Sequence, residues 1–297
     1  MFTGLSAFPL TPVHDDQVDL PSYGGLIDRL VEAGVDSIGV LGSTGSYVYL
    51  DRDERSAVIE ATVERAAGVP VIAGIGALRT SRVRSLAEDA QVAGADAVLL
   101  APVSYQPLTE DDVTGLYEEV TAELSVPLVV YDNPGTTHFT FSLDLYAHIG
   151  SLPHVAAIKI PPSRGTVNEV RERVQSIRSV IPEHVRLGIS GDGYAATGLL
   201  AGCDAWFSSI GGTLPQAMAA LARPALAGDQ EAALAESERL RPLWELIGEA
   251  GSVRVVAAIA ELLELVEEPC LPRPLRGLTG AGRERVRAVV EGLGLRD

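Results

Sequence analysis

The sequence predicts an α/β fold, a (β/α)8 TIM barrel followed by a C-terminal helical region. Three observations support this prediction: a phrase built on Gly-x-Asp recurs, short apolar runs alternate with helical patterns, and the chain has 297 residues. Barrels of this kind often exceed about 250 residues. Alternation of strand and helix implies parallel strands joined by right-handed crossovers.

The recurring phrase marks the junction between a helix and the strand that follows it. It reads EAGVDSIGV at 32–40, VAGADAVLL at 92–100 and LAGCDAWFS at 200–208. The glycine can take the left-handed conformation that ends a helix. The apolar run after the aspartate is short, as expected for a strand buried on both faces. A second phrase places Pro70 and Pro127 at strand starts, where a missing N–H is tolerated.

Together these patterns predict eight strands. The strands are expected at 3–8, 36–41, 70–75, 96–101, 127–131, 155–160, 186–190 and 204–209. Helical patterns between them include 20–33, 51–67, 80–93 and 109–124. The last of these begins with Thr109 as N-cap, followed by three acidic residues that complement the helix dipole. Because no clear strand follows, we expect a barrel at 1–212 and a helical region at 213–297 packed on it.

Composition excludes several classes of partner. A net charge of −17 and a pI near 4.7 argue against nucleic acid and against anionic membrane surfaces, since both would repel the protein. No stretch approaches the roughly 20 apolar residues that cross a bilayer, and the N-terminus lacks the features of a secretory signal. We therefore expect a cytoplasmic protein with neither a nucleic-acid nor a membrane partner.

The single lysine of the chain, Lys159, lies in an apolar run, VAAIKIPP at 155–162. By the two-residue period of a strand, Val155, Ala157 and Lys159 share one face. An amine among apolar neighbours loses hydration, which lowers its pKa, and such lysines form Schiff bases with carbonyl substrates. The competing interpretation is a strand-end lysine that reaches solvent or pairs with a carboxylate.

Other candidates follow neighbouring strands, at the barrel end where catalytic residues lie. Tyr131 closes the strand before that of Lys159, and adjacent strands are about 4.8 Å apart, so its hydroxyl is a candidate acid/base at an imine. The loop GSTGS at 42–46 offers the hydroxyls of Ser43 and Thr44, together with backbone N–H groups that can hold a small anion. Taken alone this loop is simply a turn, but opposite the lysine it would suit a carboxylate.

With these residues the sequence resembles the dihydrodipicolinate synthase and N-acetylneuraminate lyase family, the class I pyruvate-type aldolases. The resemblance covers almost the whole chain. Its motifs are FTG at 2–4, GSTG at 42–45, YDNP at 131–134, Lys159 itself and SGD at 190–192. The resemblance implies an eight-stranded barrel with C-terminal helices, usually assembled as a tetramer, although a dimer is also compatible with it.

The resemblance also implies a role for each matched residue. Lys159 would form the imine with C2 of a 2-oxo acid such as pyruvate, and Tyr131 would shuttle protons at that centre. Thr44 and Gly45 would hold the carboxylate, while Ser43 would take part in a hydroxyl relay. An aldehyde would be the second substrate, and neither a metal nor another cofactor is expected.

Some positions depart from the pattern of true dihydrodipicolinate synthases. Ser46 stands where the family often has an acid, and Thr136 stands where those enzymes have an arginine that grips the second substrate. Tyr105 lies one step later than their relay tyrosine. After the lysine, Ile160, Pro161 and Pro162 match neither the synthase pattern nor that of the sialic-acid lyases. These departures count against lysine biosynthesis. The first hypothesis is therefore a Schiff-base-forming lyase, aldolase or dehydratase that acts on pyruvate or a related 2-oxo acid, and dihydrodipicolinate synthase proper is the alternative.

Several aromatic residues near the expected site predict a pocket with more aromatic character than that of true dihydrodipicolinate synthases. They are Tyr47, Tyr49 and Phe139, beside His138. His138 could be a second acid/base, but a packed loop histidine is the preferred interpretation.

Three further alternatives remain open at the level of sequence. The loops SGDG at 190–193 and SSIGG at 208–212 follow strands where barrels often bind phosphate, but no Lys or Arg is near them. A metal-dependent aldolase would need clustered ligands, whereas the five histidines are scattered. A non-catalytic protein that binds a 2-oxo acid on the same scaffold is the third alternative.

Overall fold

The computed structural model describes residues 1–296, and within them eight parallel strands close into a barrel. The strands are β1 Gly4–Ala7, β2 Ser37–Val40, β3 Val71–Gly74, β4 Ala97–Leu100, β5 Leu128–Tyr131, β6 Val155–Ile160, β7 Arg186–Ser190 and β8 Ala205–Ser208. Each strand pairs with its neighbours in sequence, and β1 closes the ring by pairing with β8. Every observed barrel strand lies within its predicted range, so the predicted TIM barrel is confirmed.

Helices follow the strands along the chain. They are α1 Leu20–Ala33, α2 Arg52–Arg65, α3 Thr80–Val92, α4 Glu110–Thr121, α5 Pro134–Thr137, α6 Leu143–Gly150, α7 Val167–Arg178, α8 Ala195–Leu200, α9 Pro215–Leu226, α10 Gln230–Arg239, α11 Arg241–Ala250, α12 Ser252–Leu262 and α13 Gly280–Leu293. The four helices predicted by range are present, although α2 and α4 end a few residues early. The structure also contains a small antiparallel hairpin, Val13–His14 with Gln17–Val18, which the sequence patterns do not predict.

The ends of the helices bear out the local predictions. Gly34, Gly94 and Gly202 all have positive φ, at 67°, 90° and 106°, and each lies just after a helix. Thr109 forms a capping box with Asp112, because its hydroxyl accepts the Asp112 N–H while the Asp112 carboxylate accepts the Thr109 N–H. These caps satisfy backbone groups that a helix end leaves without partners.

The aspartate of the recurring phrase has a structural role at the start of the strands. Each of these aspartates accepts a hydrogen bond from the backbone of the neighbouring strand. The bonds run from Leu5 N–H to Asp36 (2.7 Å), from Val71 N–H to Asp96 (2.8 Å) and from Leu187 N–H to Asp204 (2.8 Å). The repeated phrase therefore reflects one structural feature, used three times, in which an aspartate accepts a backbone N–H at the amino-terminal end of the barrel strands.

The core has two parts, one inside the barrel and one between the barrel and its helices. Ala157 packs inside the barrel, as predicted, whereas Val155 packs in the outer part. The register between β5 and β6 shifts between Leu128 and Val129, which breaks the two-residue alternation near the start of β6. The predicted shared face therefore holds for Ala157 and Lys159 but is wrong for Val155.

The C-terminal helices reach the catalytic end of the barrel. Helix α9 packs against β1 and α1, while α11 contacts α12, α13 and the short turn Asp192–Tyr194 that follows β7. The division at residue 212 stays a prediction, and residue 297, the last of the predicted helical region, lies outside the described residues. Within residues 1–296 both cysteines are buried free thiols, and no helix is long and apolar enough to span a membrane.

Candidate active site

Lys159 and Tyr131 face each other at the carboxyl ends of two adjacent strands. They are register partners of β6 and β5, and the Lys159 Nζ lies 4.0 Å from the centroid of the Tyr131 ring. Both side chains are buried, with 6% and 8% of their surfaces exposed. The structure thus brings together the two residues on which the sequence prediction depends, and it excludes a lysine that reaches bulk solvent.

Two phenylalanines complete an aromatic enclosure around the amine. Lys159 Nζ lies 4.3 Å from the centroid of the Phe8 ring and 5.5 Å from that of Phe207. These rings have room because glycines face them: a Cβ on Gly39 would lie 2.2 Å from Phe8, and one on Gly188 would lie 2.1 Å from Phe207. Sequence reasoning missed both phenylalanines, since nothing local to β1 or β8 marks them as neighbours of the lysine.

Burial controls the charge of the amine. The loss of hydration lowers the pKa of Lys159 to about 7, while the carboxylate of Asp192 acts in the opposite direction. Cation–π contacts with the three rings favour the ammonium form as well. A large fraction of the amine is nevertheless neutral near pH 7, which is the form that attacks a carbonyl.

Asp192 is the charged residue that sequence reasoning left out of the catalytic set. It is buried in the loop after β7, where the Ser208 hydroxyl donates to its Oδ1 at 2.7 Å. The N–H groups of Ser209 and Ile210 donate to the same carboxylate at 3.2 and 3.4 Å. Burial raises the pKa of Asp192, and these hydrogen bonds and Lys159 oppose the rise.

These contacts bear on the phosphate alternative. A phosphate after β7 and β8 would need the backbone N–H groups of that region, and the Asp192 carboxylate already accepts two of them. An anion placed there would also be repelled by this carboxylate. The arrangement therefore argues against a phosphate site at SGDG and SSIGG, and it leaves Asp192 as a counter-charge for the amine.

Tyr131 is suited to give a proton rather than to take one at neutral pH. Burial raises the pKa of its phenol to about 12; hydrogen bonding with Ser43 and Asn133 lowers it, while the charges of Asp132 and Asp192 raise it. The phenol is thus protonated near pH 7. The contact with Ser43 joins the loop after β2 to the strand that carries Tyr131, as the resemblance implies for a hydroxyl relay.

The loop 42–46 lies folded and buried after β2. Thr44 is 3% exposed, and a Cβ on Gly45 would lie 3.3 Å from the Thr11 hydroxyl. Ser46 has φ of 53°, in the left-handed region, and its buried hydroxyl has no partner among the described residues; the Thr11 hydroxyl is in the same state. Buried hydroxyls without partners beside Thr44 and Gly45 are suited to donate to a carboxylate.

A buried arginine supports the turn that follows this loop. Arg55 donates to the carbonyl oxygens of Gly74 and Gly76 at 3.1 and 3.2 Å, and its guanidinium carbon lies 5.2 Å from the centroid of the Tyr47 ring. Burial lowers the pKa of Arg55 to about 10 and raises that of Tyr47 to about 12. This packing fixes the short helix Tyr47–Tyr49 at the mouth of the site.

Behind Tyr131 lies a second buried pair. The Tyr146 hydroxyl donates to the Asp132 carboxylate, and burial raises the pKa of Asp132 to about 6 against the effect of that bond and of Arg173. The position of Asp132, next to Tyr131 in the chain but turned toward α6, fits a role in holding the end of β5.

The aromatic residues named from the sequence divide between the mouth and the core. Tyr47 and Tyr49 line a cavity of about 350 Å³ at the mouth. Phe139 is buried and packs against Phe141 with ring centroids 5.3 Å apart. His138 is an exposed residue with left-handed backbone that ends α5, so the preferred prediction of a packed loop histidine is wrong.

Among residues 1–296, no group of three or more His, Cys, Asp or Glu could hold a metal ion.

Comparisons with known proteins match almost the whole length of this chain. The sequence matches the model of the Dihydrodipicolinate synthetase family over residues 1–293. It is 31% identical to the 4-hydroxy-tetrahydrodipicolinate synthase of Methylococcus capsulatus, over 97% of each chain. The structure is similar to dihydrodipicolinate synthase from Agrobacterium tumefaciens, with 42% identity, 98% of each chain covered and a TM-score of 0.95. It is also similar to the chloride-inhibited dihydrodipicolinate synthase of Acinetobacter baumannii complexed with pyruvate, with 26% identity, 99% and 100% of the two chains covered and a TM-score of 0.89.

Proposed function

This chain belongs to the dihydrodipicolinate synthetase family, and from that premise we propose that Lys159 forms an imine with pyruvate. Enzymes of this family are class I lyases that act on pyruvate through a Schiff base, so the chain is a lyase of aldolase type. The observation that carries the assignment to Lys159 is its buried amine, of lowered pKa, held against Tyr131.

The first step uses the difference in protonation between these two groups. The neutral Lys159 amine attacks C2 of pyruvate and forms the C–N bond, and its displaced proton moves to the former carbonyl oxygen. Tyr131 then donates a proton to this hydroxyl and the C–O bond breaks. Water departs, and a protonated imine remains. General acid catalysis of this kind contributes roughly 10²- to 10⁴-fold in rate.

The protonated imine then withdraws electrons from its neighbours. The Tyr131 phenolate takes a proton from C3 and leaves an enamine. The enamine C3 then adds to the carbonyl carbon of an aldehyde, and the Tyr131 phenol returns the proton to the aldehyde oxygen. In the reverse direction the C3–C4 bond breaks and its electrons enter the same imine. Asp192 stabilises the positive charge that the imine carries, because its carboxylate is buried and close enough to shift the pKa of Lys159.

The substrate carboxylate belongs in the loop after β2. We assign it to Thr44 and Gly45, with Ser43 relaying protons to Tyr131 as the resemblance implies. The unpartnered buried hydroxyls of Ser46 and Thr11 beside this loop support the assignment.

Dihydrodipicolinate synthase proper is the second candidate. It is favoured by the names of the relatives, among them a 4-hydroxy-tetrahydrodipicolinate synthase that matches 97% of this chain. Thr136, in place of the arginine that grips the second substrate of those enzymes, is the residue that speaks against it. The two candidates share the imine at Lys159 and differ in the aldehyde.

The assignment is tested by trapping the imine. The protein is incubated with pyruvate, reduced with borohydride and measured by intact mass and peptide mapping. Lys159 is the only lysine of the sequence, so the N-terminal amine of the protein used is the other primary amine, and the N-terminal peptide serves as the internal control. We expect one reduced adduct, on the peptide that holds Lys159.

Lys159→Arg is the matched variant, because it keeps the charge but cannot attack a carbonyl. It should give no adduct. An adduct that persists in this variant means that another amine reacts, and it contradicts the assignment to Lys159. The absence of an adduct in the wild type with several 2-oxo acids also contradicts the assignment, and it favours the non-catalytic binding protein.

We also propose that the protein is a homo-oligomer, a tetramer in the form that the resemblance implies. Leu78 and Tyr105, in the loops after the neighbouring strands β3 and β4, are large apolar side chains with 68% and 90% of their surfaces exposed, which supports a contact surface at this end of the barrel. Light scattering coupled to size-exclusion chromatography measures the mass directly. The cytoplasmic location stays a prediction from the sequence.

A further inference from the structure

The cavity at the mouth of the site joins the loop after β2 to the C-terminal helices. On one side it is lined by Ser43 and Tyr47, and on the other by Val253 and Arg254 at the start of α12. Ser43 lines this cavity and also acts on the pKa of Tyr131 through hydrogen bonding, so the cavity adjoins the proposed imine site. Its volume of about 350 Å³ suits a small molecule. This space is therefore a candidate place for the second substrate.

The walls of the cavity are mainly uncharged. Among the described residues that line it, Arg254 is the only charged one, and none is an Asp or Glu. Val48 and Tyr49, at the rim, are 56% and 44% exposed, so apolar surface faces the opening. A substrate with an ammonium group would therefore find no carboxylate here, whereas an apolar body would find complementary walls.

The position of Arg254 is not explained by the stability of its helix. It lies in the first turn of α12, where the positive end of the helix dipole disfavours a cation. Its Nε donates to the Arg276 carbonyl at 3.2 Å, and no carboxylate among residues 1–296 lies within salt-bridge distance of it. In a chain with a net charge of −17, a cation without an acidic neighbour is best satisfied by an anionic ligand.

Thr136 lines the same cavity from the loop after β5. It holds the position where the resemblance expects an arginine that grips the second substrate, and a threonine cannot supply that charge. Arg254 reaches the cavity from a different element and supplies a guanidinium instead. A guanidinium can bind a carboxylate with two parallel hydrogen bonds. Arg254 could therefore bind the carboxylate of the second substrate as an arginine at position 136 would, but from the opposite wall of the cavity.

We propose that Arg254 determines specificity for the second substrate, and that this substrate is an aldehyde whose apolar body ends in a carboxylate and lacks an ammonium group. This proposal rests on the proposed imine at Lys159. In it the aldehyde carbon meets the enamine, the body lies between Tyr47 and Val253, and the carboxylate binds Arg254.

The test measures binding with unreactive probes, so that it does not depend on turnover. 3-Phenylpropanoate and 3-phenylpropanamide have the same apolar body and differ in the charge of their end group. Calorimetric titrations are made on the protein as purified and again after pyruvate and borohydride treatment. The variants are Arg254→Gln and, as the control, Arg276→Gln, which removes the same charge from a neighbouring exposed residue and leaves the carbonyl that Arg254 contacts.

The wild type and Arg276→Gln should bind the carboxylate about tenfold or more tightly than the amide, as expected for one hydrogen-bonded ion pair. Arg254→Gln should lose this preference and still form the pyruvate adduct on Lys159. A preference that survives in Arg254→Gln overturns the proposal, and so does a wild type that binds neither probe or both equally. Absence of the pyruvate adduct in the wild type is a separate result, because it rejects the imine and leaves the titration of the purified protein to decide the role of Arg254.

Discussion

Lys159 and Tyr131 are register partners on neighbouring strands, and their environment moves their pKa values in opposite directions. Burial lowers the pKa of the Lys159 amine to about 7 and raises that of the Tyr131 phenol to about 12. Near neutral pH the amine is therefore partly free to attack while the phenol keeps a proton to give. A single physical cause, removal of both groups from water, assigns the nucleophile and the acid.

The first prediction concerns the pH dependence of imine formation. Since the Lys159 pKa is lowered to about 7, the reactive neutral amine increases as pH rises through that value. The initial rate of adduct trapping should rise about tenfold per pH unit below the midpoint and level off above pH 8. Asp192 and Tyr131 are the other titratable groups that face the amine. A rate that still climbs above pH 9 would indicate an ordinary lysine, with a pKa of about 10.4.

The second prediction tests how the charge of Asp192 affects the pKa of Lys159, separately from the effect of burial. Its carboxylate favours the ammonium form and so raises the pKa of Lys159 against the effect of burial. Asp192→Asn removes this charge and keeps a similar shape. The midpoint of the pH–rate profile should move to lower pH, because without the carboxylate the pKa of Lys159 falls and the amine loses its proton at a lower pH. An unchanged midpoint would mean that the carboxylate does not act on the amine.

Stability is the control for this variant. The Asp192 carboxylate accepts bonds from Ser208, Ser209 and Ile210, and an amide offers one acceptor oxygen instead of two. A loss of about 1–3 kcal/mol in the free energy of unfolding is expected, as for a buried charged acceptor. Chemical denaturation of both proteins at one pH measures it, and Ser208→Ala should lose stability without the same shift of the midpoint.

The third prediction tests the phenol. Tyr131→Phe keeps the ring that contacts Lys159 Nζ and removes only the hydroxyl, so the pKa and position of the amine should change little. Imine formation and turnover should slow by roughly 10²- to 10⁴-fold, the range of a lost general acid. The measurement is the single-turnover rate of adduct formation with pyruvate. A variant as fast as the wild type would remove Tyr131 from the mechanism.

The matched control removes a buried phenol hydroxyl elsewhere. Tyr23 is fully buried in α1, and its hydroxyl bonds to Thr62 at 2.8 Å. Tyr23→Phe should lower the free energy of unfolding by about 1 kcal/mol and leave the rate of imine formation unchanged. The pair of variants thereby distinguishes a chemical role from a packing role.

Local patterns were enough to predict the barrel strands and the central pair of the site. Gly34 ends a helix because its φ is positive, and Pro70 precedes a strand, so the boundaries are marked in the sequence itself. Tyr131 and Lys159 each end a strand, and consecutive strands of a parallel barrel are neighbours. Their proximity therefore follows from chain order alone.

The rest of the site depends on closure of the barrel, which no local pattern describes. Phe8 follows the first strand and Phe207 lies in the last, and they meet only because β1 pairs with β8. Asp192 lies in a glycine-containing loop whose sequence alone also allowed a phosphate site, and only the groups that contact its carboxylate in the structure assign it a role. The shift of register beside Leu128 likewise moved Val155 off the predicted face.

The fourth prediction tests the space that glycine provides next to the amine. Gly188 is the register partner of Lys159 on β7, and a Cβ there would lie 2.1 Å from the Phe207 ring. Gly188→Ala must displace that ring, so we expect a loss of about 1–3 kcal/mol in the free energy of unfolding and slower adduct formation. Gly248→Ala is the control: it lies exposed in α11 with no atom within 4 Å of the new Cβ, so it should gain up to about 1 kcal/mol without affecting the adduct. If Gly188→Ala kept the stability and the rate of the wild type, the position of the Phe207 ring beside the amine would not depend on the absence of a side chain at residue 188.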